Sequence, residues 1–423
     1  LDAYRALGYV TARDRLVQME LQVRALAGTL TGLVGEAALE ADRNQRALGL
    51  AASADSTWAH LDPGSPELLA LESYAEGVNA WIATLTPENY PIEYRLLGAA
   101  PFRWEPEYSL YILKRMGQTL TQRPDNIHRT ERVRTLGRTL DRALFPVDAP
   151  IREPVIPSPG KYPALVTNPI PPPPESPGNR VVPAAPVEGQ GSNAWAVSPF
   201  RTANRHALLA GDPHLELTLP AIWYEVHVMA PGLDVYGVTI PGTPFVAIGF
   251  NRDVAWTFTS AEADVQDTWR EVVNDPVHPS GTRLDDGWRR VNRRIEEYRD
   301  AGGALLAVDT FYRSHRGEMS PRDDAWFSTR WTVTEPDSTL SAFIAFARAG
   351  DVSGWMQAGR KLGSPALTAV VADRSGTIAV RILGRLPVRS PLVALEVADG
   401  TSGSAGWDGY VPFDSMPAVT NPA

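Results

Sequence analysis

The sequence predicts an α+β protein, and two changes of pattern along its 423 residues carry that prediction. Residues 1–145 are dominated by Ala, Leu, Arg and Glu, with apolar residues at helical spacing. From Asn193 onward apolar and polar residues alternate with period two, in short runs bounded by Pro, Gly, Asn and Asp. Between the two, residues 146–191 are laden with proline, including the run Pro171 to Pro174. Such a stretch cannot donate a regular hydrogen-bond ladder and reads as an extended spacer. Helices gathered first and strands gathered second predict segregated layers rather than repeating βαβ units. The expected domains are a helical region 1–145, a spacer 146–191 and a sheet region 192–423.

The elements follow in order. Leu16, Met19, Val23 and Leu26 share one face of a helix over 2–27. Further helices are expected over 66–85, 107–121 and 130–144, with Gly28, Pro63-Gly64 and Pro101 as breaks. Strands are expected within 221–232, 233–242, 245–251 and 254–260. A helix intervenes near 351–362, and residues 368–389 read as a hairpin turning at Arg374-Ser375-Gly376.

Composition removes whole classes of function. The formal net charge is −9, and no basic run interleaved with aromatics is present, which argues against nucleic acid as a partner. Cysteine is absent, so thiolate metal sites, disulfides and cysteine catalysis are excluded. No apolar run approaches the roughly 18–20 residues of a membrane span, so no membrane partner is expected. The chain starts at Leu1 almost inside a helical pattern and ends at Ala423 without a stop signal. It is therefore expected to be an internal part of a longer precursor.

The chemistry centres on Gly189-Gln190-Gly191-Ser192-Asn193-Ala194-Trp195, where the proline zone stops and a strand pattern starts. The sequence carries no H-E-x-x-H, no P-loop and no G-x-S-x-G elbow. A serine needs a base, and Ser192 would gain one as a chain terminus. A free α-amine has a pKa near 8, so it can take the hydroxyl proton directly or through one water. Gly191 suits self-cleavage by leaving the preceding carbonyl open to the hydroxyl. His214, in Gly211-Asp212-Pro213-His214-Leu215, closes the first hairpin and would return beside Ser192.

Four collinear stretches resemble the penicillin acylase family of N-terminal-nucleophile hydrolases: 7–50, opening "LGYVTARDRLVQME"; 191–269, opening "GSNAWAVSPF"; 372–389, "ADRSGTIAVRILGRLPVR"; and 406–422, "GWDGYVPFDSMPAVTNP". The resemblance implies an αββα four-layer sandwich with a mostly helical small subunit. It also implies a precursor cut between Gly191 and Ser192 into an α/β heterodimer, exported to the periplasm or secreted. The implied activity is hydrolysis of a small N-acyl amide, such as a β-lactam side chain or an acyl-homoserine lactone. Ser192 would be the nucleophile, and His214, by main chain or ring, would orient it.

The resemblance assigns further roles. One oxyanion donor is a backbone N–H mapping to Ser260 or Ala261. The second is usually an asparagine side chain, and Thr368 stands in its place, five residues before Asp373. Arg389 matches an arginine near the active centre. A single structural Ca²⁺ is implied, bound by Asp264, the Gln266 carbonyl, Asp267 and an acidic residue of the small subunit, for which Asp125 is the candidate. Hard oxygen donors are what Ca²⁺ requires. The acyl pocket maps to Leu215, Ile248, Phe258 and Glu262. A rival reading, motivated by Thr368, is a ligand-binding relative without turnover. A helical adaptor joined to a β domain would rest on the proline zone alone.

Overall fold

A computed structural model describes residues 1–121, 126–146, 191–391, 393 and 395–422. The spacer expected over 146–191 lies almost wholly outside the described residues.

The amino-terminal region is helical: α1 Asp2–Ala27, α2 Thr31–Val34, α3 Leu39–Ala47, α4 Leu50–Ala59, α5 Pro66–Ile82, α6 Ile92–Leu97, α7 Tyr108–Leu120, α8 Asn126–Leu136 and α9 Arg138–Leu144. Helix α1 matches the expected bounds and buries the predicted stripe Leu16, Met19, Val23 and Leu26. Ser65 caps α5 by accepting the Leu68 N–H, with Pro66 in the first turn. The single helix expected over 130–144 is two, because Gly137 adopts φ 76° between α8 and α9.

Helices α1 and α5 pack with almost no space between backbones. A Cβ on Gly77 would stand 1.9 Å from the Arg5 carbonyl oxygen, and one on Gly8 2.1 Å from the Tyr74 carbonyl oxygen. Neither neighbour is a flexible side-chain tip, so the helices themselves must part. Gly77→Ala is expected to destabilise the protein by about 1–3 kcal/mol, read as a lower midpoint in denaturant. An unchanged midpoint would contradict this packing.

The strands follow. β1 Ser192–Val197, β2 Leu208–Pro213, β3 Tyr224–Ala230, β4 Leu233–Thr239, β5 Ile248–Asn251 and β6 Val254–Ser260 come first. β7 Gln266–Glu271, β8 Gly281–Leu284, β9 Gly287–Arg290, β10 Asn292–Arg299, β11 Leu305–Arg313, β12 Glu318–Arg322 and β13 Ala325–Trp331 form the middle. Helices α10 Thr339–Phe346 and α11 Val352–Ala358 intervene before β14 Leu367–Asp373, β15 Ile378–Leu383, β16 Pro387–Arg389, β17 Ala398–Asp399, β18 Trp407–Tyr410 and β19 Ala418–Thr420. Among the described residues, a seven-stranded sheet runs β19-β15-β14-β6-β5-β4-β3 and a six-stranded sheet runs β10-β11-β12-β13-β7-β17. β1 and β2 form their own antiparallel pair. The predicted hairpin turn is made by Asp373, whose Oδ1 accepts the N–H groups of Ser375 and Thr377.

Strand alternation assigns the two faces of the seven-stranded sheet. Trp256 and Phe258 of β6 point to α10 and α11. Phe258 lies 5.9 Å from Phe343 and 5.8 Å from Trp355, ring centre to ring centre, and Phe346 stacks on Trp355 at 4.0 Å. Thr257 and Thr259 point the other way, onto the β1–β2 hairpin. A Cβ on Gly211 of β2 would stand 1.9 Å from Thr257 Oγ1, so only glycine lets β2 lie this close to β6. The resulting order of layers is helices, sheet, hairpin, with Ser192 at the first position of the hairpin.

Candidate active site

Ser192 opens β1 opposite Pro213, the last residue of β2. This register brings the next residue, His214, to the seam. Its backbone N–H donates to the Gly191 carbonyl at 3.0 Å and lies 3.3 Å from Ser192 Oγ. The main chain of His214 therefore meets the serine. The ring does not, because its Nε2 pairs with Asp212 Oδ2 at 2.8 Å, and both side chains are exposed. Gly191 has open space where a Cβ would stand, so crowding in this structure does not account for glycine there.

Ser192 borders a narrow cavity of about 70 Å³ whose walls are almost entirely apolar. Leu215, Ile248 and Phe258 line it as expected from the sequence. Glu262 does not. The chain leaves β6 at Ser260 and takes a positive φ of 47° at Glu262, which turns that side chain to solvent. The sequence reading missed Leu113, Met116 and Leu120, which reach into the cavity from α7, and Phe343 from α10. Their i, i+3, i+7 spacing on α7 announced an apolar helix face, but nothing local told which cavity that face would close.

The two backbone donors named for the oxyanion hole separate here. The Ala261 N–H is committed to the Ala366 carbonyl at 3.1 Å. Bonded and non-bonded pairs alternate in an antiparallel ladder, so the adjoining pair Ser260–Leu367 turns its amides away from the partner strand. The Ser260 N–H then faces the β5 side, at a level where β5 has not yet begun. Ser260 Oγ donates to the Leu120 carbonyl at 3.0 Å and accepts the Glu262 N–H at 3.2 Å. Both Ser260 and Thr259 line the cavity. Thr368 pairs with Thr259 across β6 and β14 and so shares the sheet face that carries the hairpin.

Arg389, expected near the active centre, is paired with two aspartates just past β6. Its Nε donates to Asp267 Oδ2 at 2.7 Å, and its Nη2 to Asp264 Oδ1 at 2.9 Å and to the Asp264 carbonyl at 3.0 Å. Trp407 Nε1 also donates to Asp267 Oδ2, at 2.6 Å. Burial pushes the Asp267 carboxyl up to about 6 and Asp264 upward as well, against the pull of Arg389. Asp125 lies outside the described residues. The guanidinium lies across both aspartates and holds Asp264 Oδ1 and Asp267 Oδ2, so these two carboxylates do not fit a calcium ion while Arg389 stays in place.

An α+β fold with a serine opening a strand at a Gly-Ser seam, over an apolar cavity, has the layout of an N-terminal-nucleophile hydrolase. The chain matches the penicillin amidase family over residues 1–423 and belongs to it. It is 30% identical to penicillin acylase 2 proenzyme of Pseudomonas sp. (strain SE83), over 100% of this chain and 54% of that protein. It is 31% identical to the acyl-homoserine lactone acylase QuiP of Pseudomonas fluorescens (strain Pf0-1), over 99% of this chain and 52% of that protein. Among solved structures, the thermostable penicillin G acylase from Alcaligenes faecalis in its orthorhombic form is 25% identical, with TM-score 0.48, over 54% of this chain and 42% of that one. The chain spans about half the length of the curated relatives it matches.

Proposed function

We propose that the full-length protein is a self-processing acylase that hydrolyses the amide bond of small N-acyl compounds, with Ser192 as nucleophile. The observation that carries this reading is the His214 N–H set between the Gly191 carbonyl and Ser192 Oγ, at the rim of an apolar cavity. In the uncut chain that N–H polarises the carbonyl the hydroxyl must attack. Ser192 Oγ adds to the Gly191 carbonyl carbon, its proton passes to the Ser192 nitrogen, the C–N bond breaks, and Gly191 is left as an ester on Oγ. Water hydrolyses the ester, releasing a Gly191 carboxylate and a free Ser192 α-amine. The product is a heterodimer of small and large subunits, and export to the periplasm or cell exterior is part of the same reading.

In the cut enzyme the α-amine takes the Oγ proton as Oγ adds to the substrate amide. The Ser260 N–H faces the developing oxyanion, and the Thr368 hydroxyl supplies the second donor. The leaving amine receives the proton, and water then releases the acid from Oγ. The acyl group sits among Leu215, Ile248, Phe258 and Phe343. The cavity is smaller than the ~300–1,000 Å³ of typical ligand sites, which favours a slim apolar acyl group.

Two tests apply. Full-length protein is expected to release acid from at least one of phenylacetyl, glutaryl and long-chain acyl amides. Correctly cut protein that binds such amides without releasing acid would instead support the ligand-binding reading. Thr368→Val, close in shape but without the hydroxyl, is expected to lower kcat about 100-fold with KM little changed. Wild-type kcat in that variant would remove Thr368 from the oxyanion site.

A further inference from the structure

Asp264 and Asp267 flank the entry to β7, and the short strand β16 ends on Arg389 beside them. The guanidinium spans both carboxylates and the Asp264 carbonyl with three hydrogen bonds of 2.7–3.0 Å. Asp267 is 1% exposed and Arg389 21%. A planar fork aimed at two carboxylates is the geometry arginine satisfies and a spherical ion does not need. Calcium requires six to eight oxygens, and here Asp264 Oδ1, the Asp264 carbonyl and Asp267 Oδ2 already accept from N–H groups. A dication at the same point would meet the positive charge of Arg389 within a few ångströms, where low-dielectric surroundings weaken screening.

We propose that Arg389 is the resident cation of this site, an internal guanidinium in the place of a structural metal, so that the protein folds and holds β16 against β7 without calcium. The site also keeps a latent capacity for the metal. Two carboxylates against one guanidinium leave an excess negative charge, and Asp267 Oδ1 is buried with no hydrogen-bond partner among the described residues. Removing the guanidinium opens both carboxylates and the Asp264 carbonyl to a hard cation.

The experiment compares the full-length wild type with Arg389→Gln and Arg389→Lys, by thermal melting in EGTA and in millimolar CaCl₂ at matched ionic strength. Terbium emission sensitised by Trp407, whose indole N–H touches Asp267, reads the site directly. The wild type is expected to melt at the same temperature in both buffers and to give no sensitised emission. Arg389→Gln is expected to lose about 10 °C in EGTA, because it strands a buried aspartate. It should regain about 5 °C at calcium a hundred-fold above its dissociation constant and acquire terbium emission. Arg389→Lys, which keeps a cation, should stay insensitive to calcium. Wild-type melting that falls on chelation overturns the proposal. So does wild-type terbium emission that Asp267→Asn abolishes, or Arg389→Gln that melts like the wild type. If Arg389→Gln does not fold, the two wild-type measurements decide.

Discussion

Ser192→Ala is expected to leave the full-length chain uncut and to abolish acid release, a loss of about 10⁶-fold in kcat, the scale for deleting a serine nucleophile. One hydroxyl is asked to do both jobs. In the uncut chain the Ser192 nitrogen is an amide and has no basic lone pair, so the hydrolytic base does not exist until the Gly191–Ser192 bond is broken. In the proposed mechanism the same Oγ breaks it, since Ser192 follows Gly191 in the chain and the His214 N–H already donates to the Gly191 carbonyl. Folding should survive. Ser192 is half-buried, and its hydroxyl takes part in one backbone contact of 3.3 Å, worth about 1 kcal/mol. The checks are gel mobility, amino-terminal sequencing of the large fragment and acid release. A Ser192→Ala chain that splits at residue 191 sinks self-processing. One that stays whole yet releases acid sinks the nucleophile assignment.

How far the sequence reached depends on where the deciding physics lies. Helix α1 was legible because its burial stripe is written at i, i+3 and i+7 in its own residues. The Gly191-Ser192 seam was legible because two compositions meet there. The sheet from β7 to β13 was not read. Residues 292–299, NRRIEEYR, look like a charged surface segment, and only Tyr298 reaches full burial. Helix α10, TLSAFIAF, is apolar nearly all round, so its period could not tell a helix from a buried strand. At the site, Ile248 and Phe258 sit on strands whose direction fixes where they point, and Leu215 follows two residues after β2 ends. Glu262 sits past a strand end, and one positive φ reversed it. The pairing of Arg389 with Asp264 and Asp267 was not legible, because these partners lie more than a hundred residues away and no local pattern records a pairing of that kind.

His214→Pro is expected to slow cleavage at the Gly191–Ser192 bond by about 10²–10³-fold, the effect of removing one oxyanion donor, while His214→Ala stays within about three-fold of wild type. The prediction separates two atoms of one residue. The ring pairs with Asp212 at the surface, so cutting it back to a methyl removes an exposed hydrogen-bonded contact. The backbone N–H alone reaches the Gly191 carbonyl and Ser192 Oγ, and proline has none. Proline also asks the residue before it to be extended, which Pro213 already is, as the last residue of β2. The variant therefore deletes a donor without demanding a new chain path. Cleavage of freshly refolded full-length protein, followed by gel over time, gives the rates, and equal melting temperatures confirm the comparison. A His214→Pro chain that cuts at the wild-type rate would remove this N–H from the mechanism. If His214→Ala lost cleavage as deeply as His214→Pro, the burden would move to the imidazole, and the Asp212–His214 pair would become the base that the uncut chain otherwise lacks.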